Sequence, residues 1–472
     1  MDMEDNGKIF FLRIGSNKEK EYVKKMGALF SGLLVKANYF EASPGMLSGI
    51  FLKFDSLKSP IGYIIDPVTY VFKLAPDYLH SWQKINKDEA EERIRSDLKL
   101  RKNDALPNAW IRKIQNPTKK QKNKVEIFNI SKSYRHLADR YFPDNVANIA
   151  GNRSINNSDF DDATISSFVE RVISYQKEAI TGRYDTSRYS DFKDVIPEPI
   201  TILSPYFLIE NHEDLDLMQK IWREFDSQYK DENGALVLQC TIGFLENNLN
   251  LLLDTLESNQ KSKIFFWIDG FDEEKASDSH LGAYVEFVEK AFLRGKKVTN
   301  LYSGGLTPFL FPFGLTGMVN NIGYGLQREA EPVRGGIPTA QFYIPTLHVR
   351  EQVLTSYDLF IKNDIGKTKE NFYKEICSCP ICREGIKSGV KDFIPFYGSV
   401  DYPKTNPDSL KKYPTPVALK RCTYHFILSR LTEYKWAKNA SKQDVIERIK
   451  EETTIWKTNK SHLEKIQAIL KL

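Results

Sequence analysis

The sequence lacks the signals that mark several large classes of protein. Its 472 residues include only five cysteines, too few for a disulfide framework. The first 25 residues are mixed and charged, without the apolar run of a signal peptide. No window approaches 18 uninterrupted apolar residues, the length that would indicate a transmembrane helix. These absences favour a cytoplasmic protein with no membrane partner.

Charge of one sign is also scarce. The formal net charge of +5 over 472 residues is mild, so it permits contact with nucleic acid without requiring it. We find no repeat of solenoid type and no glycine-rich phosphate fingerprint after the first predicted strand. With 27% charged and 41% hydrophobic residues, the composition is that of a globular protein with ample chain for a core.

Short apolar runs bounded by turn residues predict eight β-strands. Stretches with a helical period separate several of them, at 212–230, 247–260 and 279–296. Strands that alternate with helices imply a parallel sheet. We therefore predict an α/β fold, a (β/α)8 TIM barrel, with a doubly wound open sheet as the main alternative. The predicted strands lie within 32–40, 61–72, 200–209, 235–244, 263–271, 298–306, 317–325 and 340–348.

Composition also suggests how the chain is divided. A polar, strongly charged segment interrupts the strand pattern, and its run KKQKNK (119–124) fits a solvated loop or a patch that contacts phosphate. The end of the chain is amphipathic and helical, with Ser441 as a plausible N-cap. We predict the first barrel strands at 1–80, a mainly helical insertion at 81–195, the remainder of the barrel at 196–360, a zinc-binding module at 361–440 and a C-terminal helix at 441–472.

Three of the five cysteines lie within six residues, with the spacing C-x-C-x-x-C. They are Cys377, Cys379 and Cys382. Thiolates this close can converge on one ion, and a tetrahedral zinc site needs a fourth ligand. The stretch 420–434 is predicted as a helix with Cys422 and His425 on one face. We predict His425 as the fourth ligand, with Cys422 as a core residue or a competitor for the place.

A shell filled by three cysteines and one histidine predicts a structural zinc rather than a catalytic one. The alternatives are free buried cysteines and an iron–sulfur cluster. Because the cluster is small and local, it says nothing by itself about the activity of the other residues.

A C-x-C-x-x-C motif followed by a helical histidine, after a barrel, resembles the tRNA-guanine transglycosylase superfamily. Some relatives in that group put 7-deazaguanine bases into DNA. Here 42 residues separate Cys382 from His425, a longer spacer than is usual in the family. The resemblance covers roughly 30–80 and 200–435. It implies structural Zn2+, a tRNA or DNA partner and a guanine or 7-deazaguanine base, and it leaves room for a homodimer or a protein partner.

The resemblance also implies base exchange at an N-glycosidic bond. In the family a carboxylate attacks the anomeric carbon of the sugar and guanine leaves, and the incoming base then displaces the carboxylate from the covalent intermediate. Asp66, in YIIDPVTYVF, matches the aspartate that moves a proton near the base. Where the family carries its nucleophilic aspartate, this sequence has Asn320 and Asn321.

The best substitute for the missing nucleophile lies in WIDGFDEE (267–274). Asp269 and Asp272 come at the end of a predicted strand there, and barrel active sites form at the C-terminal ends of strands. Asp66 occupies the same end of its own strand, so Asp66 and Asp269 can face one mouth. Alternatively, Asp269 and Asp272 form a turn or cap the next helix, because Asp-Gly is a common turn dipeptide.

Other residues are candidates for substrate binding. Gly304 and Gly305, in YSGGLTP, resemble the glycines whose backbone approaches the base in the family. Tyr324 can stack on a base, as base-extracting enzymes require. Arg328 and Arg334 can hold phosphate in a forked geometry, with a salt-bridged surface loop as the alternative.

The sequence therefore favours a glycosyltransferase that exchanges a nucleobase in tRNA or DNA. Two alternatives remain open. The first is a noncatalytic scaffold that binds nucleic acid, which the asparagines at 320 and 321 favour. The second is an N-glycosidase or nucleotide hydrolase, in which water takes the place of the incoming base.

Overall fold

A computed structural model gives the fold of most of the chain, and every structural statement below concerns the residues that it describes. These are residues 8–15, 19–43, 49–50, 61–74, 78–86, 92, 95, 114–115, 124–150, 153–178, 198–322, 339–401 and 413–471. Within these ranges, no helix combines the length and the apolar character needed to cross a bilayer.

The described segments contain strands and helices that alternate over much of the chain. The strands are β1 (Ile9–Ile14), β2 (Gly32–Lys36), β3 (Gly62–Asp66), β4 (His80–Asn86), β5 (Ile114–Gln115), β6 (Lys124–Ile130), β7 (Ile202–Leu203), β8 (Leu208–Ile209), β9 (Gly234–Thr241), β10 (Lys263–Asp269), β11 (Lys297–Asn300), β12 (Leu315–Asn321), β13 (Gln341–Ile344), β14 (Val349–Gln352), β15 (Val400–Asp401) and β16 (Tyr413–Pro414). The α-helices are α1 (Lys20–Met26), α2 (Ala37–Ala42), α3 (Lys132–Tyr141), α4 (Val146–Ala150), α5 (Asp162–Glu178), α6 (His212–Gln228), α7 (Ile242–Glu257), α8 (Asp278–Leu293), α9 (Val353–Asn363), α10 (Lys369–Glu375), α11 (Pro380–Gly385), α12 (Phe393–Tyr397), α13 (Pro416–Ala437), α14 (Lys442–Ile455) and α15 (Ser461–Leu470).

Parallel strands form a nearly closed barrel, which confirms the predicted (β/α)8 fold. Its hydrogen-bonded order is β3-β2-β1-β12-β11-β10-β9-β7. The short strand β8 also pairs with β9, so β7 and β8 share one of the eight positions. A parallel bridge between Ile64 and Thr201 brings β3 to the segment that leads into β7, and so nearly completes the ring.

One of the eight predicted barrel strands is wrong. The stretch 340–348 lies outside the barrel, where β13 and β14 pair antiparallel as a separate hairpin. The missing position is filled by β1, which pairs in parallel with both β2 and β12. A short apolar run suits a hairpin strand and a barrel strand equally well, and only the tertiary partners decide between them.

The barrel strands are buried on both faces, and the helices between them begin at side-chain caps. β9 is buried over seven of its eight residues, as expected for a parallel strand covered by helices. Side-chain oxygens of Asn211, Thr241 and Ser277 accept the backbone N–H groups that open α6, α7 and α8, at 3.0, 3.2 and 3.1 Å. Such caps satisfy N–H groups that have no partner within the helix.

The charged segment after β3 contains both sheet and helix. β4, β6 and β5 form a three-stranded antiparallel sheet, and α3, α4 and α5 follow. The last of these helices packs on the barrel, where the buried Gln176 amide bonds both backbone groups of Leu203 in β7, at 2.9 and 2.7 Å. This side chain takes the place of a strand partner for β7.

Two buried lysines close the N-terminal end of the barrel, opposite the end where barrel active sites form. Lys261 precedes β10, and its ammonium donates to the carbonyl groups of Tyr229 and Asp231. Lys296 precedes β11, and its ammonium donates to the carbonyls of Asn259 and Lys261 at 2.8 and 3.1 Å. Burial lowers the pKa of both lysines. Carbonyl partners offset part of the cost of burying these charges.

Beyond the barrel, a hairpin and helices α9 to α13 form the module that carries the cysteines. The chain then ends in two helices rather than the single predicted one. Ser441 is the N-cap of α14, as predicted, and forms a capping box with Asp444. The buried Trp456 follows this helix in an extended conformation, which separates α14 from α15.

Candidate metal centre and barrel mouth

Turns and two helices place the three clustered cysteines. Cys377 and Cys379 lie between α10 and α11, and Cys382 sits in the first turn of α11 after Pro380. The backbone N–H of Cys379 donates to the sulfur of Cys377 at 3.3 Å. The N–H of Cys382 donates to the sulfur of Cys379 at 3.5 Å. The proline at the helix start and these N–H···S contacts fix the sulfurs on one side of the turn.

His425, in the middle of α13, completes the cluster. The ligand atoms of the four residues all lie within 4.8 Å of one another. The His425 Nδ1 atom is 3.3 Å from the Cys379 sulfur and 3.5 Å from the Cys382 sulfur. Sulfurs bound tetrahedrally to one zinc ion would be roughly 3.8 Å apart, because each Zn–S bond is about 2.3 Å long. The cluster therefore fits one tetrahedral metal ion.

Neighbouring groups orient these ligands. The His425 Nε2 atom lies 2.6 Å from the carbonyl oxygen of Tyr343, and a proton on Nε2 leaves the Nδ1 lone pair to face the sulfurs. The imidazole stacks on the Phe342 ring, with centroids 3.9 Å apart and planes 6° from parallel. The Tyr397 hydroxyl lies 3.2 Å from the Cys382 sulfur. These contacts are of the kind that hold metal ligands in place.

The cysteines differ in their access to solvent. All four cluster residues are buried, but a groove of about 1300 Å³ reaches Cys377 and Cys379 and is not lined by Cys382 or His425. Hydrogen bonds from the Cys377 and Cys382 side chains lower the pKa of Cys379 to about 4. Thiolate is the form that binds metal, so this environment suits a metal ligand.

Cys422 does not compete for the metal. Among the described residues, the metal-ligating group contains only the three clustered cysteines and His425. Burial raises the pKa of the Cys422 thiol to about 12. The structure therefore favours His425 over Cys422 as the fourth residue of the cluster.

The C-terminal ends of the barrel strands form the second candidate site, the barrel mouth. Asp66 is the last residue of β3 and Asp269 the last residue of β10, while Arg13 lies next to the end of β1. In the strand register, Asp66 pairs with Lys36 and Arg13 pairs with Asn321. Parallel strands bring all of these ends to one opening.

Asp66 is completely buried, and hydrogen bonds engage both of its oxygens. The Arg13 guanidinium donates to Oδ2 at 2.7 Å, in an ion pair whose two side chains are 3% and 0% exposed. Oδ1 accepts the Tyr206 hydroxyl at 2.7 Å and the Val68 backbone N–H at 3.0 Å. Val68 has φ +49°, an uncommon and strained conformation for a β-branched residue. A site that retains such strain is a functional candidate.

Aromatic rings line the same part of the barrel. Tyr206 stacks on Tyr70 with centroids 5.5 Å apart, and Tyr70 meets Trp267 edge-on at 5.0 Å. Trp267 in turn lies 4.6 Å from Tyr302, and the Arg13 guanidinium covers the Tyr302 ring at 4.3 Å. Burial and the Asp66 carboxylate raise the pKa of Tyr206, so its hydroxyl remains a donor. The rings therefore form a buried cluster that packs on the Arg13–Asp66 ion pair.

Gln239 was not among the residues predicted from the sequence. It is fully buried in β9 and pairs in register with Trp267, so both side chains face the barrel interior. Neither atom of its side-chain amide has a hydrogen-bond partner among the described residues. A glutamine inside an apolar strand has no periodic signal that distinguishes it from ordinary core positions, so only the structure reveals it.

The two asparagines at the expected nucleophile position face opposite sides of β12. Asn321 pairs with Arg13, whose side chain points into the barrel, so Asn321 belongs to the mouth. Asn320 therefore points outward; it is 2% exposed, and neither atom of its amide has a partner among the described residues. Within residues 315–322, the part of this strand end that the structure describes, no side chain is a carboxylate.

The remaining predicted residues have varied surroundings. Asp272 organises the turn before α8, since its carboxylate accepts the N–H of Glu274 at 3.2 Å and pairs with Lys275 at 2.7 Å. This favours the turn interpretation for Asp272. Asp269 is partly exposed at its strand end. Three predicted substrate-binding residues lie outside the described residues, namely Tyr324, Arg328 and Arg334.

Gly304 and Gly305 are buried and approach protein groups. A Cβ atom at Gly304 would overlap the Glu273 carboxylate, and one at Gly305 would overlap the His348 backbone carbonyl. The close approach that requires glycine here is to these two residues. A role of these glycines in base binding remains a prediction.

A buried ionic network ties the module and α14 to the barrel. Arg430 of α13 donates to the Gly304 carbonyl at 2.6 Å and to Glu433 at 2.8 Å. His348 lies between Glu433 and Glu452, at 3.1 and 2.7 Å. Burial opposes protonation of His348, but the two carboxylates raise its pKa overall. His348 is therefore a structural residue between charged partners.

No protein-family model matches the chain, and no curated protein sequence matches it either. The resemblance to the transglycosylase superfamily consequently depends on the cysteine motif and the barrel. The barrel and the cluster of three cysteines and one histidine agree with that resemblance, but neither identifies a substrate.

Proposed function

We propose that the protein is a transglycosylase that exchanges a nucleobase at an N-glycosidic bond in tRNA or DNA. The observation that carries the proposal is the barrel mouth, where a cluster of aromatic rings and the Gln239 amide, which has no hydrogen-bond partner among the described residues, lie beside the carboxylate-bearing strand ends. Rings of this kind can hold a base that has been flipped out of its strand, and the buried amide can donate and accept hydrogen bonds at its edge.

In this proposal Asp269 is the nucleophile. Its carboxylate forms a bond to the anomeric carbon of the sugar as the bond from that carbon to the leaving guanine breaks, and guanine takes up a proton from water as it leaves. The incoming guanine or 7-deazaguanine loses a proton and displaces the carboxylate, which restores the enzyme. Asp269 is preferred over Asp272 because Asp269 is the last residue of β10, at the strand end where barrel active sites form, whereas Asp272 lies in the turn that follows.

We also propose that the cluster of cysteines and His425 holds Zn2+ with a structural role. A shell of three thiolates and one imidazole leaves no coordination position for substrate. The cluster lies in the module after the barrel, whereas the strand ends that would carry the reaction belong to the barrel itself.

Incorporation of labelled guanine tests the function. Labelled guanine or 7-deazaguanine is incubated with the protein and either tRNA or DNA, and label retained in the polymer is measured. We expect incorporation into one of the two polymers, and we expect Asp269→Asn to reduce its rate by at least about 100-fold, a loss typical of essential catalytic groups. Asp272→Asn is the matched control and should retain most of the rate.

The outcomes separate the alternatives. If the polymer releases base without taking up label, the protein is an N-glycosidase. Salt-sensitive binding without release or uptake would favour the nucleic-acid-binding scaffold, the second candidate function, which the asparagine at the mouth end of β12 supports. Full incorporation by Asp269→Asn would refute Asp269 as the nucleophile.

A further inference from the structure

The loop that follows β11, residues 301–306, lies at the barrel mouth, and its first part is bonded to the barrel strands. The Tyr302 N–H donates to the side-chain oxygen of Asn300 at 3.0 Å, and the Ser303 N–H donates to the carbonyl of Val319 in β12 at 3.1 Å. The Tyr302 ring belongs to the aromatic cluster of the mouth. The conformation of this loop therefore determines where one side of that cluster lies.

The second part of the loop is bonded to groups outside the barrel strands. The Leu306 N–H donates to the Glu273 carboxylate at 2.6 Å, and the same carboxylate fills the space that a Cβ atom at Gly304 would need. The guanidinium of Arg430, on α13, donates to the Gly304 carbonyl at 2.6 Å. Gly304 is thus in contact with one acidic and one basic side chain, and the basic one belongs to the module that follows the barrel.

Arg430 has a defined orientation within the module. Its guanidinium also donates to Glu433 at 2.8 Å and to the Tyr343 hydroxyl at 3.1 Å, and its side chain is completely buried. The carbonyl of Tyr343 in turn lies 2.6 Å from Nε2 of His425, in the cysteine–histidine cluster. A planar guanidinium that bonds three acceptors is fixed in direction as well as in place. Hydrogen bonds therefore connect the cysteine–histidine cluster to the loop at the mouth.

We propose that Arg430 is a positioning residue for the barrel mouth, and that through its bond to the Gly304 carbonyl the module fixes the loop that carries Tyr302. This inference rests on the proposed function and gives the module a part in binding the base. In the proposed function the aromatic cluster holds the base, whereas Asp269 attacks the sugar. Displacement of the loop should therefore weaken binding of the base more than it slows the chemical step.

Amide hydrogen exchange, measured by mass spectrometry on the full chain, tests the positioning without requiring activity. Peptides that cover residues 301–306 should exchange about 10-fold faster or more in Arg430→Met than in the wild type, because a hydrogen bond from a charged group to the loop is lost. Arg430→Lys keeps a charged donor and should bring the rate back to within about threefold of the wild type. Peptides that cover β9 should be unchanged, which shows that the barrel remains folded.

Arg448→Met is the matched control. Arg448 belongs to the same buried network, but it pairs with Glu452 at 2.8 Å rather than with the loop. Its loss should leave hydrogen exchange in residues 301–306 within about twofold of the wild type. Equal acceleration in Arg430→Met and Arg448→Met would show that any damage to the network loosens the loop, and would overturn the specific role of Arg430.

Arg430→Met leaves the buried Glu433 carboxylate without one of its partners. Should that variant fail to fold, the double variant Arg430→Met/Glu433→Gln removes both charges and takes its place, with thermal unfolding as the check. Its loop peptides should exchange as fast as those expected for the single variant. A double variant that is folded and exchanges at the wild-type rate in residues 301–306 would overturn the inference.

The kinetics of base incorporation distinguish positioning of the mouth from a purely structural contact. Arg430→Met should raise KM for the base about 10-fold while kcat changes by less than about threefold, and Arg430→Lys should restore most of the affinity. Faster hydrogen exchange in the loop with an unchanged KM would overturn the positioning role. A wild-type protein that incorporates no base would refute the proposed function, and the hydrogen-exchange comparison would still decide whether Arg430 fixes the loop.

Discussion

The metal centre and the barrel mouth are both buried polar clusters, but they are assembled over very different distances in sequence. Three of the four residues of the cysteine–histidine cluster lie within six residues, and one helix supplies the fourth. At the mouth, Asp66 pairs with Arg13 across 53 residues and with Tyr206 across 140. The spacing of the residues in the sequence predicts the first cluster. The second cluster forms only when the barrel brings its strand ends together.

The two regions also differ in how fully their polar groups are hydrogen-bonded. At the metal centre the ligands face one another and enclose a position for a single ion. At the mouth Asp66 is engaged, while the Gln239 amide has no hydrogen-bond partner among the described residues. A region with all its groups paired suits stability, and a region with polar groups still unpaired suits a ligand. Each prediction below tests one side of this contrast.

The largest effect is expected at the metal centre. Cys382→Ser removes a fully buried ligand, and because metal binding energy at a structural site is folding energy, we expect a loss of more than about 4 kcal/mol in the free energy of unfolding. Metal analysis should fall from about one ion per chain to near zero. Cys422→Ser, on α13 but outside the cluster, should keep its metal. Equal loss in both variants would contradict the ligand assignment.

A smaller loss is expected from the ion pair at the mouth. Arg13→Met leaves the buried Asp66 carboxylate without its cation, which should cost about 3–5 kcal/mol of unfolding free energy. The double variant Arg13→Met/Asp66→Asn should recover at least about 2 kcal/mol, because the Asp66 charge is then no longer buried without its cation. Urea unfolding measures both. Additive losses in the double variant would show that the two side chains are not coupled.

The next prediction concerns how the free energy of unfolding depends on pH. Burial raises the pKa of Glu273 to about 7, against the opposing hydrogen bond from the Leu306 N–H and the charge of Arg430. A raised carboxyl pKa means that the folded state holds the proton more tightly, so this stabilisation is present at low pH and is lost as pH rises through about 7. Glu273→Gln should therefore flatten the decline in unfolding free energy between about pH 4.5 and 7.

The buried ionic network near Glu273 contains other groups whose pKa values are shifted, some up and some down. Comparing the wild-type protein with Glu273→Gln cancels their contribution to the pH dependence. His348 has a raised pKa, whereas Glu433 and Glu452 have lowered ones despite their burial. These groups stay in both proteins. A pH dependence that is identical in wild type and Glu273→Gln would show that Glu273 carries no proton in this range.

The smallest effect is expected at Asp272. Asp272→Asn keeps an oxygen for the Glu274 N–H and loses only an ion pair with Lys275, whose side chain is 81% exposed. Such pairs contribute little, so thermal unfolding should change by less than about 0.5 kcal/mol. A large loss of exchange activity with unchanged stability would place Asp272 in the active site after all.

The sequence contains enough local signal for the metal ligands and for most of the barrel. His425 and the three cysteines follow from spacing and residue type, and seven strand positions follow from apolar runs between helical stretches. The prediction omitted β1 because its apolar run IFFL is short and lies between charged residues. The stretch 340–348 has a similar apolar pattern but forms a hairpin. Both errors arose because a local apolar pattern does not determine which strands pair with one another.

The mouth was only partly predictable for the same reason. Asp66 was identified as a strand-end carboxylate, but nothing in the sequence connects it to Arg13 or to Tyr206. Gln239 and the strained backbone of Val68 also have no sequence signature. These features depend on the register and closure of the sheet, which a single sequence does not encode in any local pattern.

The position of β1 in the ring has a consequence for how the chain folds during synthesis. β1 ends at Ile14, but β12, one of its two neighbours, begins only at Leu315. At roughly 5–20 residues per second, a ribosome needs on the order of 15–60 seconds between them. Throughout that time the nascent sheet keeps an open edge along its first strand, the kind of edge that promotes aggregation. We expect chaperone dependence to be greatest before the twelfth strand leaves the ribosome.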